Sequence, residues 1–164
     1  MRMGLHTIVV SIAGSAASLV TAKYAVALAK LLSVKLVALY VVDKKVLQDL
    51  LKSRIFVDVE ARVYERDLEQ QGAGILERIA KMAQEKGVAF EGMLMKGVVS
   101  DEVLNKVQEL RADLLVMGEL KEMTSRTEVF YDEGERILRR CPCPVVMVKN
   151  PAMVEALYKE TAQQ

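Results

Sequence analysis

Residues 7–42 decide the fold and read TIVVSIAGSAASLVTAKYAVALAKLLSVKLVALYVV. The first six residues are mostly β-branched and apolar, which predicts a strand buried on both faces. From residue 16 to residue 32, small and apolar side chains recur at helical spacing, and Ser15 is placed to cap this helix. Residues 34–42 form a second apolar run. A strand, a helix and a strand in this order predict a βαβ unit with parallel strands.

The alternation of strands and helices continues along the rest of the chain. The patterns predict strands at 88–95, 113–118 and 144–148 and helices at 44–51, 54–86, 100–111 and 128–140. Five strands joined by helical crossovers predict an α/β fold. Its core is one five-stranded parallel sheet, doubly wound and Rossmann-like, with helices on both faces.

Two of these helices carry more specific expectations. Gly72 and Gly74 each cost about 1 kcal/mol relative to alanine in a helix interior, so a kink or a division into two helices stays open there. Ser100 is expected to cap the helix that follows the turn after residue 97. We assign residues 1–150 to the α/β domain and residues 151–164 to a C-terminal tail with the apolar spacing of one more helix.

Composition and charge exclude several classes of protein. The 164 residues carry 23 Lys and Arg against 22 Asp and Glu, so no excess of cations is available to neutralise a nucleic-acid backbone. No apolar run approaches the roughly 20 residues of a membrane-spanning helix, and no secretory signal precedes the first strand. The two cysteines, Cys141 and Cys143, lie too close together in the sequence for a disulfide between them to cross-link distant parts of a fold. We therefore expect a cytoplasmic protein without nucleic-acid or membrane partners.

A single histidine, His6, restricts the chemistry further. A Ser-His-Asp triad or a multi-histidine metal site needs histidine at a ligand-binding loop, whereas His6 precedes the first strand. Ligands of open parallel sheets bind at the carboxyl ends of the strands instead. We therefore expect no catalytic residue, no metal site and no enzymatic activity.

Several segments in a characteristic order resemble the universal stress protein family over about residues 5–149. They are residues 7–15, 38–43, 97–100, 112–118 and 135–148, the last of which reads ERILRRCPCPVVMV. The resemblance implies a five-stranded parallel sheet and a dimer formed through the last strand.

Members of that family that bind ATP carry an aspartate after the first strand and a Gly-x2-Gly-x9-Gly-Ser/Thr motif after the fourth. The motif's glycines bring backbone amides close to the phosphates. In the register that the resemblance implies, the aspartate position is Ala13, the first glycine is Gly118 and the second position is Lys121. The last glycine and its hydroxyl neighbour are replaced by Tyr131 and Asp132.

Acidic residues also fall where a triphosphate would carry its negative charges, namely Asp132, Glu133 and Glu135. Like charges at close range cost on the order of 1 to 4 kcal/mol. We therefore predict no cofactor and regard ATP as disfavoured, while Lys121 or Arg126 could attract another anion. The residual crevice consists of Gly14, Ser15, Val41, Gly97, Met117, Gly118 and Lys121.

The last strand is apolar on both faces through Val145, Val146, Met147 and Val148. Only the charge of Lys149, which follows it, would discourage pairing with another strand. Exposed apolar edges invite pairing, so either the C-terminal tail or a second subunit should cover this strand. We favour a homodimer, the commonest soluble assembly.

Two main hypotheses for the function follow, and a slow hydrolase is a weaker third option because no group is placed as a convincing general base. In the first, the protein is a homodimeric regulatory module in stress response that does not bind ATP and acts on an unknown protein partner. In the alternative, the degenerate nucleotide crevice is a switch that binds AMP, ATP or another anion. The motif Cys141-Pro142-Cys143 could oxidise or bind a soft metal with a partner chain, but a structural role in burial is favoured.

Overall fold

Strands and helices alternate along the whole chain, as the sequence predicts. The computed structural model describes residues 4–14, 17–120 and 128–161, with the side chains of the last segment described from Glu133 onward. The strands are β1 (Thr7–Ile12), β2 (Lys35–Asp43), β3 (Phe90–Gly97), β4 (Leu114–Gly118) and β5 (Val145–Val148). The helices are α1 (Ala17–Leu32), α2 (Lys44–Lys52), α3 (Asp58–Glu85), α4 (Val99–Glu109), α5 (Glu128–Arg140) and α6 (Pro151–Glu160).

The five strands form one parallel sheet in the order β3-β2-β1-β4-β5. Alternate side chains of the central strands point to opposite faces, which builds two apolar layers. Ile8 belongs to the layer beneath α1, α3 and α6, whereas its neighbour Val9 belongs to the layer beneath α4 and α5. The predicted doubly wound sheet with helices on both faces is therefore confirmed.

Helix α3 runs without a break through both of its glycines, so the division into two helices does not occur. At Gly72 the reason for glycine is tertiary. A Cβ on Gly72 would lie 2.3 Å from Cδ1 of Tyr40, whereas a Cβ on Gly74 would meet nothing within 4 Å. The Tyr40 ring therefore occupies the space that a side chain at position 72 would need.

Helix α4 begins earlier than the sequence predicts. Strand β3 ends at Gly97, Val98 takes the N-cap position, and Ser100 lies inside the helix rather than capping it. The expected serine cap is therefore wrong. In place of a local hydroxyl, a carboxylate from another helix, that of Glu133, accepts the N–H of Ser100 in the first turn of α4.

The predicted additional helix of the tail is confirmed as α6, which packs against α1. Asn150 caps it by accepting a hydrogen bond from the Met153 N–H at 3.2 Å. Val154 is buried, Glu155 pairs with Lys23, and the backbone carbonyl of Thr161 accepts a hydrogen bond from Lys86 at 2.9 Å.

Within the described ranges, no helix is long and apolar enough to cross a membrane.

Candidate functional site

The carboxyl ends of all five strands lie at one edge of the sheet because the strands are parallel. This edge brings together Gly14, which follows β1, and Met117 and Gly118, which end β4, the neighbour of β1. Val41 lies near the end of β2, and Gly97 ends β3 opposite Asp43. Among the predicted crevice residues, Ser15 and Lys121 lie outside the described residues.

On the α1 side of the sheet, the backbone at Gly14, just after β1, lies against an aromatic ring. Gly14 has a φ of +88°, a conformation that favours glycine, and its N–H donates a hydrogen bond to Ser18 Oγ at 3.0 Å. A Cβ at position 14 would lie 3.1 Å from Cε2 of Tyr40 and 3.2 Å from its Oη. The half-buried strand end after β1 therefore lies directly against Tyr40.

The space beside the end of β4 is also restricted, here by a side chain of α1. A Cβ added to Gly118 would lie 3.1 Å from Oγ1 of Thr21 in α1. Nearly two turns into α5, Gly134 lies against the side chain of Leu120, because a Cβ at position 134 would lie 2.3 Å from Cδ2 of that leucine. The segment that leaves β4 is thus packed onto α5 through an apolar contact.

On the opposite face of the sheet, α5 presents a buried carboxylate to α4. Glu133 is 2% exposed, and its Oε2 accepts a hydrogen bond from the backbone N–H of Ser100 at 2.7 Å. Its Oε1 lies 3.4 Å from Nη1 of Arg136, a cation that is itself partly exposed. A negative charge at a helix N-terminus is favourable because the free N–H groups there carry partial positive charge. The carboxylate of Glu133 therefore occupies the anion-binding end of α4.

Asp43 supplies a second buried carboxylate at the same edge. Its Oδ1 caps α2 by accepting hydrogen bonds from the N–H groups of Lys45 at 2.9 Å and Val46 at 3.4 Å. Burial is the main influence on the pKa of Asp43 and raises it above its ordinary value. The two hydrogen bonds lower that pKa, and the negative charge of Glu133 raises it again.

Two buried oxygen atoms at this edge accept or donate nothing within the described part of the chain. They are Oδ2 of Asp43 and Oγ of Ser100. Because Glu133 hydrogen bonds to Ser100 and lies within Coulomb range of Asp43, these groups form one polar cluster. We call Asp43, Ser100 and Glu133 the acidic cluster. Arg136 lies beside Glu133, and the charge of Lys45 acts on Asp43.

The chemistry available at this edge is limited. No group of three or more His, Cys, Asp or Glu side chains in a metal-binding arrangement occurs among the described residues. A cavity of about 440 Å³ lies at the opposite, amino edge and is lined by Lys30, Ser33 and Lys35 among others. Another of about 320 Å³ lies between α2 and α3. Neither cavity includes a residue of the predicted crevice.

Of the three acidic residues predicted to oppose a triphosphate, Glu133 points into the fold and Glu135 pairs with Arg139. The side chain of Asp132 lies outside the described residues. The sequence identified Glu133 as an acid in this region, but it contained no signal for its partner. Ser100 is 33 residues away, and only the packing of α5 on α4 joins the two.

The residues predicted to form a dimer interface lie on an edge strand. Strand β5 pairs with β4 on one side only. The C-terminal tail forms helix α6, which packs on α1 and adds no strand to the sheet beside β5. Val145, Val146 and Met147 stay partly accessible, whereas Val148 is buried.

The strand order, the parallel register and the helices on both faces define a Rossmann-like α/β protein. The sequence model of the universal stress protein family matches residues 4–149. The chain belongs to this family. Universal stress protein MJ0531 of Methanocaldococcus jannaschii is 30% identical over 148 residues, which cover 88% of this chain and 82% of that protein.

Solved structures have the same fold. A universal stress protein in complex with cAMP is 22% identical, with a TM-score of 0.62 over 89% of this chain and 98% of that chain. The universal stress protein from Archaeoglobus fulgidus in complex with dAMP is 18% identical, with a TM-score of 0.56 over 90% of this chain and 100% of that chain.

Proposed function

We propose that this universal stress protein is a cytoplasmic, non-enzymatic regulatory module of the stress response that does not bind ATP. It acts as a homodimer and through protein surfaces. The observation that carries the proposal is the buried carboxylate of Glu133 on the N-terminus of α4. This group fills an anion-binding position with the protein's own negative charge.

The surroundings of Glu133 support the same proposal. A polyphosphate placed at this edge would meet Glu133 and Asp43, and repulsion in a poorly solvated site is stronger than in water. The apolar contact of Leu120 with Gly134 occupies space beside the phosphate segment that the family resemblance implies. Ala13 offers no carboxylate for a ribose.

Equilibrium dialysis with labelled ATP and millimolar Mg²⁺ tests this proposal. We expect no saturable binding in the micromolar range. The variant Glu133→Gln is the matched comparison, because it keeps an acceptor oxygen for Ser100 and removes the charge. If charge excludes the nucleotide, this variant binds ATP more tightly than the wild type. Saturable micromolar binding by the wild type would overturn the proposal.

The dimer is proposed to form through the open side of β5. The Pro144 carbonyl accepts the Leu115 N–H at 3.0 Å, and Leu115 pairs with Val145. In a parallel ladder the backbone groups of every second residue face the same neighbour, so the N–H of Met147 faces away from β4. A second copy that pairs with this edge would use that N–H.

Light scattering after size exclusion tests the dimer. We expect the wild type and Met147→Ala to be dimers and Met147→Pro to be a monomer, because proline removes only the outward donor. Circular dichroism checks that the Pro variant keeps its fold. A monomeric wild type, or a folded Met147→Pro variant that stays dimeric, contradicts this assembly.

A second candidate function is a switch that binds a nucleoside monophosphate. Two similar structures are complexes with cAMP and dAMP, which have no polyphosphate to place near Glu133. Gly14, Val41 and Gly118 keep the strand ends that such a ligand would touch. A thermal-shift screen with AMP, cAMP and dAMP separates the candidates, since a ligand at 100 times its Kd stabilises by about 2.7 kcal/mol. No shift with any of them counts against this function.

A further inference from the structure

Cys141 and Cys143 lie in contact just before β5, at the amino edge of the sheet. The acidic cluster lies at the opposite, carboxyl edge. Their Sγ atoms are 3.5 Å apart. Cys141 follows α5, and its N–H donates to the carbonyl of Ile137 at 2.9 Å. The chain then bends at residues 142 and 143, which turns the second thiol back toward the first. Both side chains are partly accessible.

We propose that Cys141 and Cys143 form a dithiol modification site that a low-molecular-weight disulfide of the glutathione class oxidises to an intramolecular disulfide. The spacing supports this reaction, because an S–S bond of about 2.05 Å needs the two sulfur atoms to approach by only about 1.5 Å. A disulfide across one intervening residue is strained and partly exposed, and such disulfides are reducible and regulatory rather than structural.

The two thiols play different parts in the reaction. Burial raises the pKa of Cys143 to about 12, with further contributions from the hydrogen bond to Cys141, the charge of Cys141 and the charge of Asp113. Cys143 therefore keeps its proton at neutral pH, and the first attack falls to Cys141, since the thiolate is the nucleophile.

The reaction balances in two exchange steps. The Cys141 thiolate attacks the small disulfide, whose S–S bond breaks, and one small thiolate leaves as the mixed disulfide forms on Cys141. The hydrogen bond and the charge of Cys141, which both raised the pKa of Cys143, are then gone, and burial is the main influence that still raises it. The Cys143 thiolate attacks the Cys141 sulfur and releases the second small thiolate. The protons of both protein thiols end on the two small thiols.

Redox titration of the whole protein in mixtures of oxidised and reduced glutathione tests the site. After alkylation, intact mass should show a species without alkyl groups and lighter than the reduced protein by two hydrogens. The Cys143→Ser variant should trap one glutathione on Cys141, and Cys141→Ser should react about tenfold more slowly than Cys143→Ser. Two glutathione adducts on the wild type, a disulfide between chains, or persistent free thiols would each overturn the proposal.

The same titration in denaturant separates a built site from the mere closeness of the two cysteines in sequence. If the fold holds the thiols in contact, the native protein forms the disulfide at a lower ratio of oxidised to reduced glutathione than the unfolded chain does. An equal or higher ratio for the native protein would contradict a site formed by the fold. No outcome of this experiment depends on whether the protein binds nucleotides or forms a dimer.

Discussion

The two faces of the sheet fill the space beside the strand ends in different ways. On the face of α1 and α3, the ring of Tyr40 fits between Gly14 and Gly72. On the face of α4 and α5, the carboxylate of Glu133 reaches the backbone of Ser100. The first solution is shape, which does not depend on pH or charge. The second is electrostatic, and it places a charge in a site where Asp43 already carries one.

The largest expected effect tests the packed face. Changing Gly72→Ala should lower the free energy of unfolding by about 2 kcal/mol, because the new Cβ collides with the Tyr40 ring and Leu94. This loss outweighs the helix propensity of about 1 kcal/mol that alanine contributes. Urea unfolding by linear extrapolation measures it.

Gly74→Ala is the matched control, since it lies in the same helix and meets no atom within 4 Å. It should raise the free energy of unfolding by about 0.5 to 1 kcal/mol. Similar stabilities for the two alanine variants would show that the Tyr40 contact is not tight.

An effect of similar size tests the polar face. Glu133→Ala removes the acceptor of the buried Ser100 N–H and should cost about 1 to 3 kcal/mol in unfolding free energy. Glu133→Gln keeps an acceptor oxygen, so it should cost less than half as much. If alanine and glutamine destabilise equally, the charge rather than the hydrogen bond holds α5 to α4.

The smallest effect tests the raised pKa of Asp43, which comes mainly from burial and in smaller part from the charge of Glu133. The folded pKa of Asp43 is raised, so between the ordinary pKa of about 3.8 and the raised value the folded protein holds more protons than the unfolded chain. Stability therefore falls as the pH rises through that window, and the cost persists above it. Asp43→Asn keeps the Oδ1 cap of α2 and removes this cost.

Unfolding experiments between about pH 4 and about pH 7 measure the effect of Asp43→Asn. We expect the variant to be more stable than the wild type at neutral pH, by a margin that shrinks in acid. The exposed Asp67→Asn variant controls for general effects of net charge. An Asp43→Asn variant whose stability follows that of the wild type at every pH contradicts a raised pKa of Asp43 in the folded protein.

Most of the fold was predictable from short stretches of sequence. The apolar runs of the sequence form β1, β2 and β4, which are buried on both faces of the sheet. Helical spacing predicted the ends of α1 and α5 to within one residue. The prediction at Ser100 is wrong because of a distant partner, since Glu133 from another helix accepts the N–H of Ser100. The sequence left open whether α3 is divided at its glycines, and it gave no sign of the contact between Gly72 and Tyr40.

The candidate site was predictable only in outline. The strand ends at Gly14, Gly97 and Gly118 were identified from turn residues and lie at the expected edge. The inward direction of Glu133 had no sequence signal, because a glutamate in an amphipathic helix is ordinarily solvated. The dimer through β5 and the absence of ATP binding stay predictions.

Hydrophobic periodicity is a property of neighbouring residues, so the amino-acid order alone was enough to specify the strands, the helices and a parallel sheet. Which side chains meet across the sheet depends on the neighbours that each helix acquires after folding. Tyr40 contacts Gly72, Glu133 accepts a hydrogen bond from Ser100, and α6 packs on α1, although these elements are far apart in the chain. Burial makes these contacts energetically important, because a buried ring needs a fitted space and a buried charge needs a hydrogen-bond donor.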